Sequence, residues 1–174
     1  MGRDHLILGE TTDYITGEAV VDTHDERARQ TIARFLVDRK EFRKSDLETR
    51  RRLAVTVDGK SGTVRVDYVV WINGRAAMVV IYGPGAIVSR QRPALAVARL
   101  LEPYVIRYAV ISNGREAYVM DSHTGKVIGR TMADIFPRRT LLSQLENIQW
   151  RTLSADRIDK ERRVLFRSEE RRVG

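Results

Sequence analysis

Apolar positions follow two different periods along this chain. Ala28, Ile32, Phe35 and Leu36 recur at i, i+4, i+7 and i+8, which is one stripe of a helix. Arg27, Arg34 and Asp38 take the opposite face. Asp22 or Thr23 can cap this helix, and Asp25 and Glu26 stand in its first turn, where the helix dipole favours acids. Residues 1–22 hold neither period and are expected to be extended or irregular, with a Gly-containing turn. Residues 39–52 are strongly charged and predict surface helix and connection.

Strand periods come next. LAVTV (53–57) and TVRVDYVVWI (63–72) are rich in β-branched and aromatic residues, with DGKSG (58–62) as the turn between them. Asn73-Gly74 is a two-residue hairpin signal. AAMVVIY (76–82) shows no polar alternation, so it predicts a strand buried on both faces, and GPG (83–85) ends it. Pro93 suits the first turn of a helix through ALAVARLL (94–101), which Glu102-Pro103 closes. IRYAVIS (106–112) is a further strand, residues 116–130 a hairpin about Ser122–Gly125, and residues beyond 131 supply one or two helices. A helix between the third and fourth strands predicts a parallel crossover. The fold class expected is α/β, with a mixed sheet flanked by helices.

One carboxylate breaks the apolar run RVDYVVWINGRAAMVVIYGPG (65–85): Asp67. Burying it is costly unless it is paired. Pairing with Arg65 or Arg75 is one account of it. The other is a metal-binding carboxylate, because phosphodiester hydrolysis uses a divalent ion held by carboxylates on adjacent strands, with a lysine near the attacking water.

Composition narrows the field. The chain has 174 residues, 43% hydrophobic and 31% charged, enough for one domain with a core. No signal peptide or membrane helix is read, and the absence of cysteine excludes disulfides and thiolate metal sites. A cytoplasmic location is expected. His5, His24 and His123 show no zinc spacing. HTGK (123–126) lacks the first glycine of a phosphate-binding loop, and no Walker-type motif occurs anywhere. Trp71 and Trp150 are read as core rather than as stacking platforms for bases.

The net charge of +8 depends partly on the ending RRVLFRSEERRVG, residues 162–174. In one frame this string back-translates to two sequencing-library adapters joined end to end. It shows no lasting helical or strand period, so the domain is taken as 1–161 and the tail is set aside. Adapter sequence at the end of the coding DNA checks this reading. Without the tail the balance is 26 basic to 21 acidic residues, or +5, mildly favourable to a polyanion.

DYITGEAVVDTHDERARQ (13–30), VRVDYVVWING (64–74) and YAVISNGREAYVMD (108–121) together resemble the N-terminal domain of type I restriction enzyme R subunits, within the PD-(D/E)xK restriction-endonuclease-like superfamily. The resemblance implies a restriction-endonuclease-like fold and a nuclease site. It places the family's strand aspartate on Asp67 and its helix glutamate on Glu26, with Mg2+ as the metal in an active member. Its Glu-x-Lys falls on Ile81-Tyr82-Gly83 or one residue later, and in either register both are missing, since no Asp, Glu or Lys occurs from Ala76 to Leu101. Arg90 or Arg92 could stand in for the lysine's charge, though arginine keeps its proton and is a poor base. Gln91 matches the glutamine after that strand and, with Arg90 and Arg92, is a candidate DNA contact. The resemblance therefore implies a nuclease-related domain, catalytically impaired, that binds nucleic acid or restriction-system subunits. An active metal-dependent DNA endonuclease is the alternative. No small-molecule cofactor and no membrane partner are expected.

Overall fold

The computed structural model describes residues 6–173, with side chains through residue 170. His5 and the last residues of the tail fall outside these limits. A small hairpin, β1 (Glu10–Thr12) with β2 (Ala19–Val21), precedes helix α1 (His24–Arg34). Thr23 caps α1, its hydroxyl accepting the Glu26 N–H at 3.0 Å. The main sheet then assembles from β3 (Leu47–Val57), β4 (Lys60–Ile72), β5 (Arg75–Tyr82), β6 (Tyr108–Ser112), β7 (Ala117–Asp121) and β8 (Val127–Gly129). Its order is β3-β4-β5-β6-β7-β8. Among the described residues only the β5–β6 pair is parallel, and α2 (Gln91–Leu100) makes the crossover between them, as the sequence predicts. Helices α3 (Arg138–Leu145) and α4 (Ala155–Val173) complete the chain. The α/β class and the mixed sheet flanked by helices are as expected.

Turn chemistry sets the meander. Asn73 and Gly74 hold φ of 50° and 77°, as a type I′ hairpin turn requires. Asp58 and Gly59 repeat this with 50° and 77°, so the first turn is tighter than the five residues expected and β4 starts at Lys60. Both faces of the sheet carry a core. One gathers Val79, Ile81, Leu95, Val97, Ile111 and Leu165 under α2 and α4. The other gathers Ile32, Leu36, Met78, Val80, Val110 and Leu141 under α1 and α3. Strand β5 lies between them and is buried from Ala76 to Tyr82.

Two expectations are corrected. Residues 47–52 are not helix or connection: β3 begins at Leu47 and pairs with β4 almost throughout. Glu48, Arg50 and Arg51 each find a partner outside the strand, so local pattern does not betray it. The segment from Arg162 is helical: α4 runs through it, and Leu165 is 1% exposed. The buried stripe was masked because Glu161, also fully buried, stands where an apolar residue would be expected. No helix among the described residues is long and apolar enough to cross a membrane.

Candidate functional site

The strand alternation of β4 fails at Asp67. Val64, Val66 and Val69 pack in the α2 core, while Tyr68, Val70 and Ile72 pack in the α1 core. A strict period of two would place Val64 and Val66 with Tyr68. The regular β4–β5 pairing also starts only at Tyr68↔Val80. Beyond it the Tyr82 N–H has lost its place in the ladder, and the Asp67 carboxylate accepts it at 2.7 Å. On the other side of β4, Arg50 of β3 holds φ of 56°, a left-handed conformation inside a strand. Such strain costs of order 1–3 kcal/mol and persists only where the surroundings enforce it.

Asp67 is 4% exposed, and its second oxygen faces two arginines. Arg29 Nε donates to Oδ1 at 2.9 Å, and Arg65 Nε lies 3.1 Å from the same oxygen as an ion pair without hydrogen-bond alignment. Of the pairings open to Asp67 in the sequence, Arg65 is thus found. Arg75 instead lies over the rings of Tyr104 and Trp150.

Glu26 is drawn to the same place, because α1 carries Glu26 and Arg29 one turn apart. Arg29 Nη1 lies 3.5 Å from Glu26 Oε2, and Arg65 Nη2 lies 3.8 Å from it. The other Glu26 oxygen takes Arg50 Nη2 at 2.6 Å and Gln30 Nε2 at 3.0 Å. Asp13 closes the cluster, accepting from Arg50 Nη2 at 2.9 Å and from the backbone of Ile15 and Thr16. Three carboxylates (Asp13, Glu26, Asp67) and three guanidiniums (Arg29, Arg50, Arg65) thus form one charge-balanced network. Burial alone would raise the Glu26 carboxyl, but the hydrogen bonds from Arg50 and Gln30 outweigh it and hold it below its ordinary value. Burial likewise opposes Asp13, and its backbone and Arg50 hydrogen bonds prevail. Burial first, then crowding by Arg29, lowers the Arg65 guanidinium.

The positions on which the resemblance sets Glu-x-Lys lie next to this network. Continuing the β4–β5 register sets Ile81 across from Asp67. Ile81 packs in the α2 core. Tyr82 turns to the α1 side, where its hydroxyl donates to Asp25 at 2.8 Å and burial with that bond pushes it up to about 12. Arg29 lies over its ring at 5.0 Å. A Cβ on Gly83 would come within 2.4 Å of Arg90 Cδ, so the Arg90 stem fills the space a side chain at 83 would take.

The remaining candidates stand apart from the carboxylates. Gln91 opens α2 and is half-buried. Arg92 forms a two-pronged pair with buried Glu161, at 2.6 and 2.9 Å. Arg90 and Arg92 line a cavity of about 400 Å³ with Ser89 and Arg167.

The Mg2+ that the superfamily resemblance implies does not fit these residues. Both Asp67 oxygens are committed to protein donors, as is each oxygen of Glu26. Among the described residues no group of three or more His, Cys, Asp or Glu side chains is arranged to hold a metal. Sequence reading brought Glu26, Asp67 and Arg65 to the site but missed Asp13, Arg29, Gln30 and Arg50. The spacing Glu26–Arg29–Gln30 at i, i+3 and i+4 was the available signal. Arg50 lay hidden in a charged run.

These features define a mixed α/β domain whose buried ionic network joins α1 to β4. The family described as Type I restriction enzyme R protein N terminus (HSDR_N) matches residues 24–136, and the chain belongs to it. No curated protein and no solved structure matches the chain.

Proposed function

We propose that this chain is a nuclease-related, catalytically impaired domain of a restriction system that binds nucleic acid or partner subunits. The observation that carries the reading is at Ile81-Tyr82-Gly83. An apolar residue stands across from Asp67 in the strand register there, and the Arg90 stem fills the space over Gly83. Hydrolysis of a phosphodiester needs a group that activates water. Arginine keeps its proton at any working pH and cannot serve as that base. It can stabilise phosphate charge, and Arg90 at the start of α2 lines an open basic cavity suited to a backbone phosphate.

One observation favours the alternative, an active metal-dependent DNA endonuclease. The fold does bring Asp67 and Glu26 to the same pair of guanidiniums. Incubation of supercoiled plasmid with Mg2+ or Mn2+ separates the two readings. The expected result is no nicking by the parent chain, together with DNA binding that weakens as salt rises. Arg90→Ala should weaken that binding, as should Gln91→Ala to a lesser degree. Arg92→Ala is a poor probe, because it removes the two-pronged partner of buried Glu161 and so disturbs the fold as well. Cleavage by the parent that vanishes in Asp67→Ala would establish the endonuclease. Absence of both cleavage and binding would overturn both nucleic-acid readings and leave a domain with no nucleic-acid contact.

A further inference from the structure

We infer that the guanidiniums of Arg29 and Arg65 occupy the position of a divalent cation between Asp67 and Glu26, so that this site works without a metal. The inference deepens the proposed function and takes from it only where a metal would sit. The geometry supplies the rest. Each of the two arginines spans both carboxylates: Arg29 at 2.9 Å from Asp67 and 3.5 Å from Glu26, Arg65 at 3.1 and 3.8 Å. A divalent ion bridging two carboxylates would need those same oxygens, at 2.0–2.6 Å.

Charge counting agrees. With Arg50 taking Asp13 and Glu26, the three carboxylates already meet three fixed positive charges. A further double charge would leave the buried cluster strongly positive. Entry of a metal therefore requires at least one arginine to leave. Arg29 is poorly placed to do so: its side chain is 18% exposed and stacks over Tyr82. Arg65 is looser, at 39%.

A metal lowers the pKa of bound water and so makes a nucleophile. Two guanidiniums supply the same double positive charge but offer only N–H donors. The arginines thus keep the electrostatic part of a metal's role, neutralising the buried carboxylates, and give up the hydrolytic part.

Mn2+ alone is the probe, titrated calorimetrically and by its electron paramagnetic resonance signal into the full chain. The parent is expected to show no saturable binding. Arg29→Gln with Arg65→Gln should create a site in about the 0.1–1 mM range of weak carboxylate sites. Arg65→Gln alone covers the case in which the double variant does not fold, and should gain Mn2+ binding as well. A double variant that folds only when Mn2+ is present would support the inference in the same way. Saturable sub-millimolar binding by the parent overturns it. So does a folded variant, double or single, that gains no Mn2+ binding. Neither readout involves DNA, so a failure here is distinct from a failure of the DNA-binding reading.

Discussion

Asp67→Ala is expected to destabilise the domain by about 3–5 kcal/mol, the usual cost of removing one partner of a buried ion pair. In a chain of this size that lowers the melting temperature by on the order of 10 °C. Three debts come due at once. Arg29 and Arg65 lose the oxygen they share, and the Tyr82 N–H loses its acceptor. The break in the β4–β5 ladder, which the carboxylate now closes, is left open. Asp67→Asn is the informative companion. Its amide oxygen can still accept the Tyr82 N–H, while the charge facing the arginines is gone. It should fall between the parent and Asp67→Ala in a urea or thermal melt. A carboxylate kept only to serve a metal would behave in the opposite way, since strained active-site groups commonly gain stability when removed. An unchanged or raised melting temperature for Asp67→Ala would therefore remove the structural account of this residue.

Glu161→Ala should cost a similar amount, about 3–5 kcal/mol. Glu161 is fully buried and ties α4 to α2 through both prongs of Arg92 and through Arg99 Nη1 at 2.9 Å. Arg99 is only 7% exposed, so the variant would strand a guanidinium in the interior. The pH dependence has a definite sign. Burial alone would raise the Glu161 carboxyl, but Arg92 and Arg99 hold it below its ordinary 4.5. A depressed acid contributes its full stabilisation above the unfolded value and loses it as pH falls through the folded one. The stability gap between the parent and Glu161→Gln should therefore be full at neutral pH and shrink below 4.5. Urea unfolding of both proteins across that range measures it. A gap independent of pH would mean that the carboxylate's charge is not what holds α4 to α2.

Much of the sheet was legible because its signals are local. Asn73-Gly74 needs only its two residues to specify a turn, and the unbroken apolar run of β5 needs only its own composition to predict burial on both faces. The parallel crossover followed from the α2 helix between two strands. Segment 47–52 was not legible for the opposite reason. Glu48 accepts the Trp71 indole N–H, Arg51 reaches Glu102, and Arg50 reaches Asp13 and Glu26. Those partners lie 23 to 51 residues away, so no window along the chain contains them. The site divides in the same manner. Glu26 and Asp67 were placed by resemblance, and Arg65 as a charge partner for the Asp67 carboxylate. Asp13 and Arg50 became visible only when β3, α1 and the first hairpin were seen together. The end of α4 was misread because a buried stripe that includes a glutamate does not look apolar.

The shared oxygens of the Asp13–Glu26–Asp67 cluster have a consequence for how substitutions combine. Arg29 and Arg65 each touch two carboxylates, and Glu26 is approached by three arginines. Residues so connected do not contribute separable amounts, and coupling energies among them run to about 0.5–3 kcal/mol of either sign. Taking out a carboxylate together with its guanidinium is then cheaper than taking out either alone, since no buried charge is left behind. The unit of variation in this part of the fold is the neutral pair, and a sequence can drift there only two charges at a time.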